Sequence, residues 1–173
     1  MLVANDLAIV MRDAVSGLHN RSMAFSNLGK EVSKYITDNL EILFSWIAIS
    51  PPPQNQPDPK VSPSGRIIKL EIKFDNFLST TSNFFNAFSK DFIIGLAGAT
   101  AEITGFSVSP VSLGSAPAIA SLQLTQSGKD NLLDAFKHTA NQIIVWIKGL
   151  IPAQPAAGSN GQFIGSGNIV SMR

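Results

Sequence analysis

The stretch DFIIGLAGATAEITGFSVSPVSLGSAPAIASLQL runs from Asp91 to Leu124, and between its opening aspartate and Lys129 the only ionisable residue is Glu102. A segment so poor in charge has to be hidden, either by lipid or by protein. A membrane-spanning helix needs roughly 20 predominantly apolar residues, and lipid offers no partner to backbone groups left free by irregular structure. The helix-compatible part here ends near Phe106 and carries Thr100, Glu102 and Thr104, while SVSPVSLGSAPAI holds two prolines and four serines. A single span is therefore disfavoured, and Glu102 becomes the one carboxylate expected to be buried. Gly95 and Ala99 stand four apart, a small-residue spacing that lets backbones approach closely in a crowded interior or a tight subunit contact.

The rest of the chain supplies helices and one clear strand. Leu7, Met11, Ala14 and Leu18 form one stripe, predicting a helix over 5–18 capped by Asn5 or Asp6. Phe25, Leu28, Val32, Ile36, Leu40, Leu43 and Ile47 continue at steps of three and four, predicting a long helix over 24–49. It must stop before PPPQNQPDP, because prolines lack the amide donor and push the preceding residue out of helical geometry. In RIIKLEIKF the period changes to two, with Ile68, Leu70, Ile72 and Phe74 alternating against Lys69, Glu71 and Lys73, the pattern of a half-buried strand over 66–74. Lysines on such a face meet solvent and discourage edge pairing.

From Asp75, a candidate cap, Phe77, Thr81, Phe84, Phe88 and Phe92 return to helical spacing and predict a helix over 75–101. Leu133, Phe136, Ala140, Ile143, Ile147 and Leu150 predict another over 128–150, with Ser127 and Asp130 as its capping pair. Further strands are expected over 119–125 and 162–172, and 102–118 has no assignment. The fold class is α+β and mainly helical, about four helices packed with a small antiparallel sheet of two or three strands. Residues 1–150 make one globular domain with a Pro-rich loop at 51–65, and 151–173 form a flexible C-terminal arm. The apolar residues of that arm, Phe163, Ile164, Ile169, Val170 and Met172, are the candidate interaction residues. They suit either a short strand on their own domain or an arm added to a neighbouring copy's sheet.

Signals for chemistry are sparse. His19 and His138 have no second ligand at metal-binding spacing, and GQFIGSGNIV matches neither phosphate-cradling pattern nor a nucleophile elbow. No serine has an identifiable base, and the glutamates form no acid–base pair. No catalytic residue, cofactor or metal is expected. NRS at Asn20 fits a glycosylation sequon, a triplet that also arises by chance. With 13 basic and 12 acidic residues the chain lacks the charge imbalance of a nucleic-acid binder. It has no cysteine, so redox compartment is open. The N-terminus lacks the basic region of an export signal.

Only 14% of residues are charged, and 45% are hydrophobic. This texture suits a noncatalytic structural or assembly subunit, such as a virus or bacteriophage capsid, tail or connector component, partnered by copies of itself and by other subunits. A membrane-active pore former or lysis factor, with Trp46 and Trp146 as interfacial anchors, is one alternative. A small-molecule binder with a phenylalanine-lined pocket is the other.

Overall fold

The computed structural model describes residues 1–48, 64–74, 84–103, 107–108, 111–112, 122, 124–125, 128, 131–149, 155–159 and 164–173. Among these are four helices, α1 (Ala4–Val15), α2 (Arg21–Asn39), α3 (Phe84–Ala97) and α4 (Leu132–Gly149). The strands are β1 (Glu41–Ala48), β2 (Ser64–Lys69), β3 (Thr100–Ile103), β4 (Ser107–Val108), β5 (Val111–Ser112), β6 (Pro155–Ser159) and β7 (Ile164–Met172). The chain is α+β with more helix than strand, and its sheet is antiparallel throughout. The three longest strands lie side by side as β7-β1-β2, and shorter strands extend this centre on both sides to the order β4-β6-β7-β1-β2-β3-β5.

That order constrains the shape of the sheet. β4 and β5 are opposite ends of the order, yet two residues separate them in sequence. Three Cα–Cα steps span at most about 11 Å, whereas the edges of a flat seven-stranded sheet stand about 29 Å apart. The sheet therefore curls until its edges approach, and β3 is in contact with β4 as well as with β5. Followed around the curl, the order is β1-β2-β3-β5-β4-β6-β7, which is chain order except that β4 and β5 exchange places, close to the up-and-down arrangement of a small barrel. The segments between β2 and β3 and between β5 and β6 both leave from one end of this curl, and they carry α3 and α4. α2 enters β1 at the same end.

Local chemistry fixes the helix ends. α1 begins one residue earlier than expected: its N-cap is Val3, without a side-chain cap, in place of Asn5 or Asp6. Tyr35 does the holding, because its hydroxyl accepts from Val3 N–H at 2.9 Å and donates to Val3 C=O at 3.0 Å. Beyond the C-terminus of α1, Gly17 takes φ 71°, the left-handed conformation that glycine adopts without strain. Asn20 caps α2 by accepting from Met23 N–H. The cap of α4 is Asn131, not Ser127 or Asp130, since Asn131 accepts from Asp134 N–H at 2.8 Å and donates to the Asp134 carboxylate at 2.7 Å.

The expected long second helix divides. α2 ends at Asn39, and Leu40 turns the chain into β1, so 41–48 is strand where helical spacing predicted helix. Residues 122, 124 and 125 lie in no strand, although Leu122 and Leu124 are buried. Asp75, Phe77, Thr81, Ser127, Asp130, Pro152 and the prolines of 51–59 lie outside the described residues.

The core gathers the helical stripes. Leu7, Met11 and Ala14 of α1, Leu28, Val32 and Ile36 of α2, Phe88, Phe92 and Leu96 of α3, and Ala140, Ile143 and Ile147 of α4 are all buried together with Ile42, Ile67 and Met172 of the sheet. Burying a side chain of that size contributes about 1.5–3 kcal/mol relative to leaving it exposed. Phe92 meets the partly buried Trp146 edge to face at a centroid distance of 5.9 Å, and Phe74 stacks on Phe88 at 4.3 Å.

Candidate functional site

After β2 the chain continues through Leu70–Phe74 outside any helix or strand, its side chains alternating between solvent and core, and threads between α2 and α3. Two glycines make this possible. A Cβ on Gly29 of α2 would run into the carbonyl oxygen of Ile72, and a Cβ on Gly95 of α3 would lie 2.8 Å from Ile72 Cγ1 and 2.9 Å from the Glu71 carbonyl oxygen. Gly95 and Ala99 thus serve a crowded interior, one of the two uses their spacing allowed. On the α2 side, Ser33 Oγ accepts from Ile72 N–H at 2.8 Å and donates to the Gly29 carbonyl at 2.7 Å.

The strand's alternation survives, with a change of phase. Ile67 is buried while Ile68 is 41% exposed, and Ile72 and Phe74 are buried again. The pairing of β2 with β3 is irregular between Ile67 and Lys69, where one extra residue moves the following side chains to the opposite face. Lys69, Glu71 and Lys73 consequently face solvent as expected, but Ile68 does not join the inward row.

A groove of about 800 Å³ runs between this segment and α2. Lys30 and Lys34 stand on the α2 wall, Lys69 and Lys73 on the other, with Asp38 and Glu71 as the carboxylates. Glu71 pairs with Lys73 at 3.1 Å, and both side chains are mostly exposed. A second groove of about 440 Å³ lies on the α3 side of the same segment, lined by Lys69, Glu71, Lys73, Asp91, Ile94 and Gly95. The lysine pair on α2 is the part that periodicity missed; its trace in the sequence is the spacing of Lys30 and Lys34, one helical turn apart on an otherwise ordinary solvated face.

The C-terminal residues singled out from sequence lie elsewhere. Ile164, Ile169, Val170 and Met172 belong to β7, which pairs with β1 on one side and β6 on the other within the same chain. Met172 is buried, and Phe163 lies outside the described residues. β7 is held at its end by Glu41 and Arg173, whose backbones exchange hydrogen bonds of 2.8 and 2.9 Å and whose side chains meet at 2.9 Å. Arg173 holds the Glu41 carboxyl below the usual carboxylate range by donating to it.

Glu102 occupies the β3 position opposite Arg66 in the ladder. His19 is exposed between α1 and α2. His138, exposed on α4, lies 3.2 Å from Thr125 Oγ1, which donates to Gln142 Oε1 at 3.0 Å in a network that ties the chain before α4 to that helix. Among the described residues no three His, Asp or Glu side chains gather to hold a metal ion, and no helix is long and apolar enough to cross a membrane.

No protein-family model, no curated protein and no solved structure matches this chain.

Proposed function

We propose that the chain is a noncatalytic structural subunit of a larger oligomeric assembly, a virus or bacteriophage particle being the kind of assembly its composition suits. The observation that carries this reading is the placement of large apolar side chains in solvent: Met23 on α2 is 60% exposed, Ile94 on α3 58%, Leu132 and Val145 on α4 54% and 63%. Single exposed apolar residues are ordinary on soluble proteins. Here they stand on three different helices of a chain with only 14% charged residues, a surface of the sort that subunit contacts cover.

Light scattering on the purified chain tests the reading. The expected result is a mass of several chains, lowered toward one chain by Ile94→Glu combined with Val145→Glu, and rings, tubes or shells in electron micrographs. A monodisperse monomer at all concentrations, with the double substitution leaving the mass unchanged, overturns it.

A further inference from the structure

From the groove between α2 and Leu70–Phe74 we infer that this protein binds an extended acidic segment of another polypeptide there. Four lysines line the groove against two carboxylates, and Glu71 is already engaged by Lys73. Lys30, Lys34 and Lys69 have no ion pair among the described residues. Lys30 and Lys34 repel each other one helical turn apart on α2, and Asp38, one turn further on, offsets that repulsion from the Lys34 side alone. A row of carboxylates in the groove removes that repulsion.

Shape and charge select an extended peptide. Lys69 and Lys73 lie about 13 Å apart along extended chain, and Lys30 and Lys34 about 6 Å apart along the helix, so the groove matches four or five residues of an extended ligand. At Glu71 and Ile72 the backbone is flanked by α2 at Gly29 and Ser33 and by α3 at Gly95. The ligand is therefore held by its side chains against the lysines, with the hydroxyls of Ser26 and Thr37 along the same wall. A phosphate backbone is the poorer fit, because no arginine lines the groove to grip a phosphate with two parallel donors. The inference holds whether or not the chain assembles with copies of itself.

The probe is a fluorescently labelled peptide of alternating glutamate and valine, read by anisotropy against the full chain. Binding is expected at low salt and is weakened by added salt. Lys34→Glu combined with Lys69→Glu lowers the affinity by at least about tenfold, whereas Lys148→Glu on α4 leaves it unchanged. Should the double charge reversal fail to fold by circular dichroism, Lys34→Gln with Lys69→Gln replaces it, with a smaller loss expected. Absence of binding, equal weakening by Lys148→Glu, or tighter binding of a single-stranded oligothymidylate than of the peptide overturns the inference.

Discussion

Ser33 on α2 and Ile72 in the threaded segment are joined by a 2.8 Å hydrogen bond in which the Ile72 amide donates to the serine hydroxyl, 39 positions away in sequence. The same hydroxyl donates to Gly29, so one small side chain closes both the helix and the segment beside it. Ser33→Ala leaves a buried amide without its partner and is expected to cost about 2 kcal/mol. Urea denaturation checks this, with the exposed Ser22→Ala expected within about 0.5 kcal/mol of the unmodified chain.

Gly95 and Gly98 lie on the same side of the molecule and should respond differently to alanine. At Gly95 the added carbon meets Ile72 and the Glu71 carbonyl within 3 Å, while at Gly98 the nearest atom is 3.6 Å away. Gly95→Ala is expected to destabilise by about 1–3 kcal/mol as α3 is pushed off the segment. Gly98→Ala should stay within about 0.5 kcal/mol, and the pair of melting curves decides the matter.

Tyr35 is the sole tyrosine of the sequence, so phenolate absorbance reports on it alone. Burial pushes its phenol up from the ordinary value of 10.0, outweighing the Val3 amide that favours the ionised form. A raised folded value means that the contribution to stability is complete below the ordinary value and is lost as pH rises through the folded one. The titration midpoint of the folded chain should lie above that of the urea-unfolded chain. Tyr35→Phe, which frees the Val3 N–H and leaves the Val3 carbonyl with Leu7 N–H as its donor, is expected to cost about 1 kcal/mol.

The Glu41–Arg173 pair carries the opposite pH sign. Its carboxyl is held low by the arginine's hydrogen bond, so the contribution is present above the ordinary carboxylate value of about 4.3 and is lost as pH falls through the folded value. Stability measured for the unmodified chain and for Glu41→Gln should differ at neutral pH and converge in acid. A gap that is independent of pH contradicts the assignment.

Much of the helical layer is readable from spacing, because α1, α4 and the first two-thirds of the second helical stripe each bury one face that recurs every three or four residues. The segment 41–48 defeats the same rule. Leu40, Leu43 and Ile47 continue the helical series, but Ile42, Phe44 and Trp46 form a period-two series in the same letters. Pairing with β7, between 117 and 130 positions away, decides between them. In the tail, the strand expected over 162–172 is found as β7 at Ile164–Met172, whereas PAAGS has weak strand preference and becomes β6 through its pairing with β7. In the groove, the outward direction of Lys69 and Lys73 is written in the alternation. Their convergence with Lys30 and Lys34 depends on a helix packing beside a strand, which local pattern does not encode.

The position of β7 between β1 and β6 has a consequence for biosynthesis. β1 emerges from the ribosome early, but the residue that exchanges backbone bonds with Glu41 lies 132 positions later. Until β7 has been synthesised β1 lacks one of its two strand partners, so that edge of β1 stays open while nearly all of the rest of the chain is made.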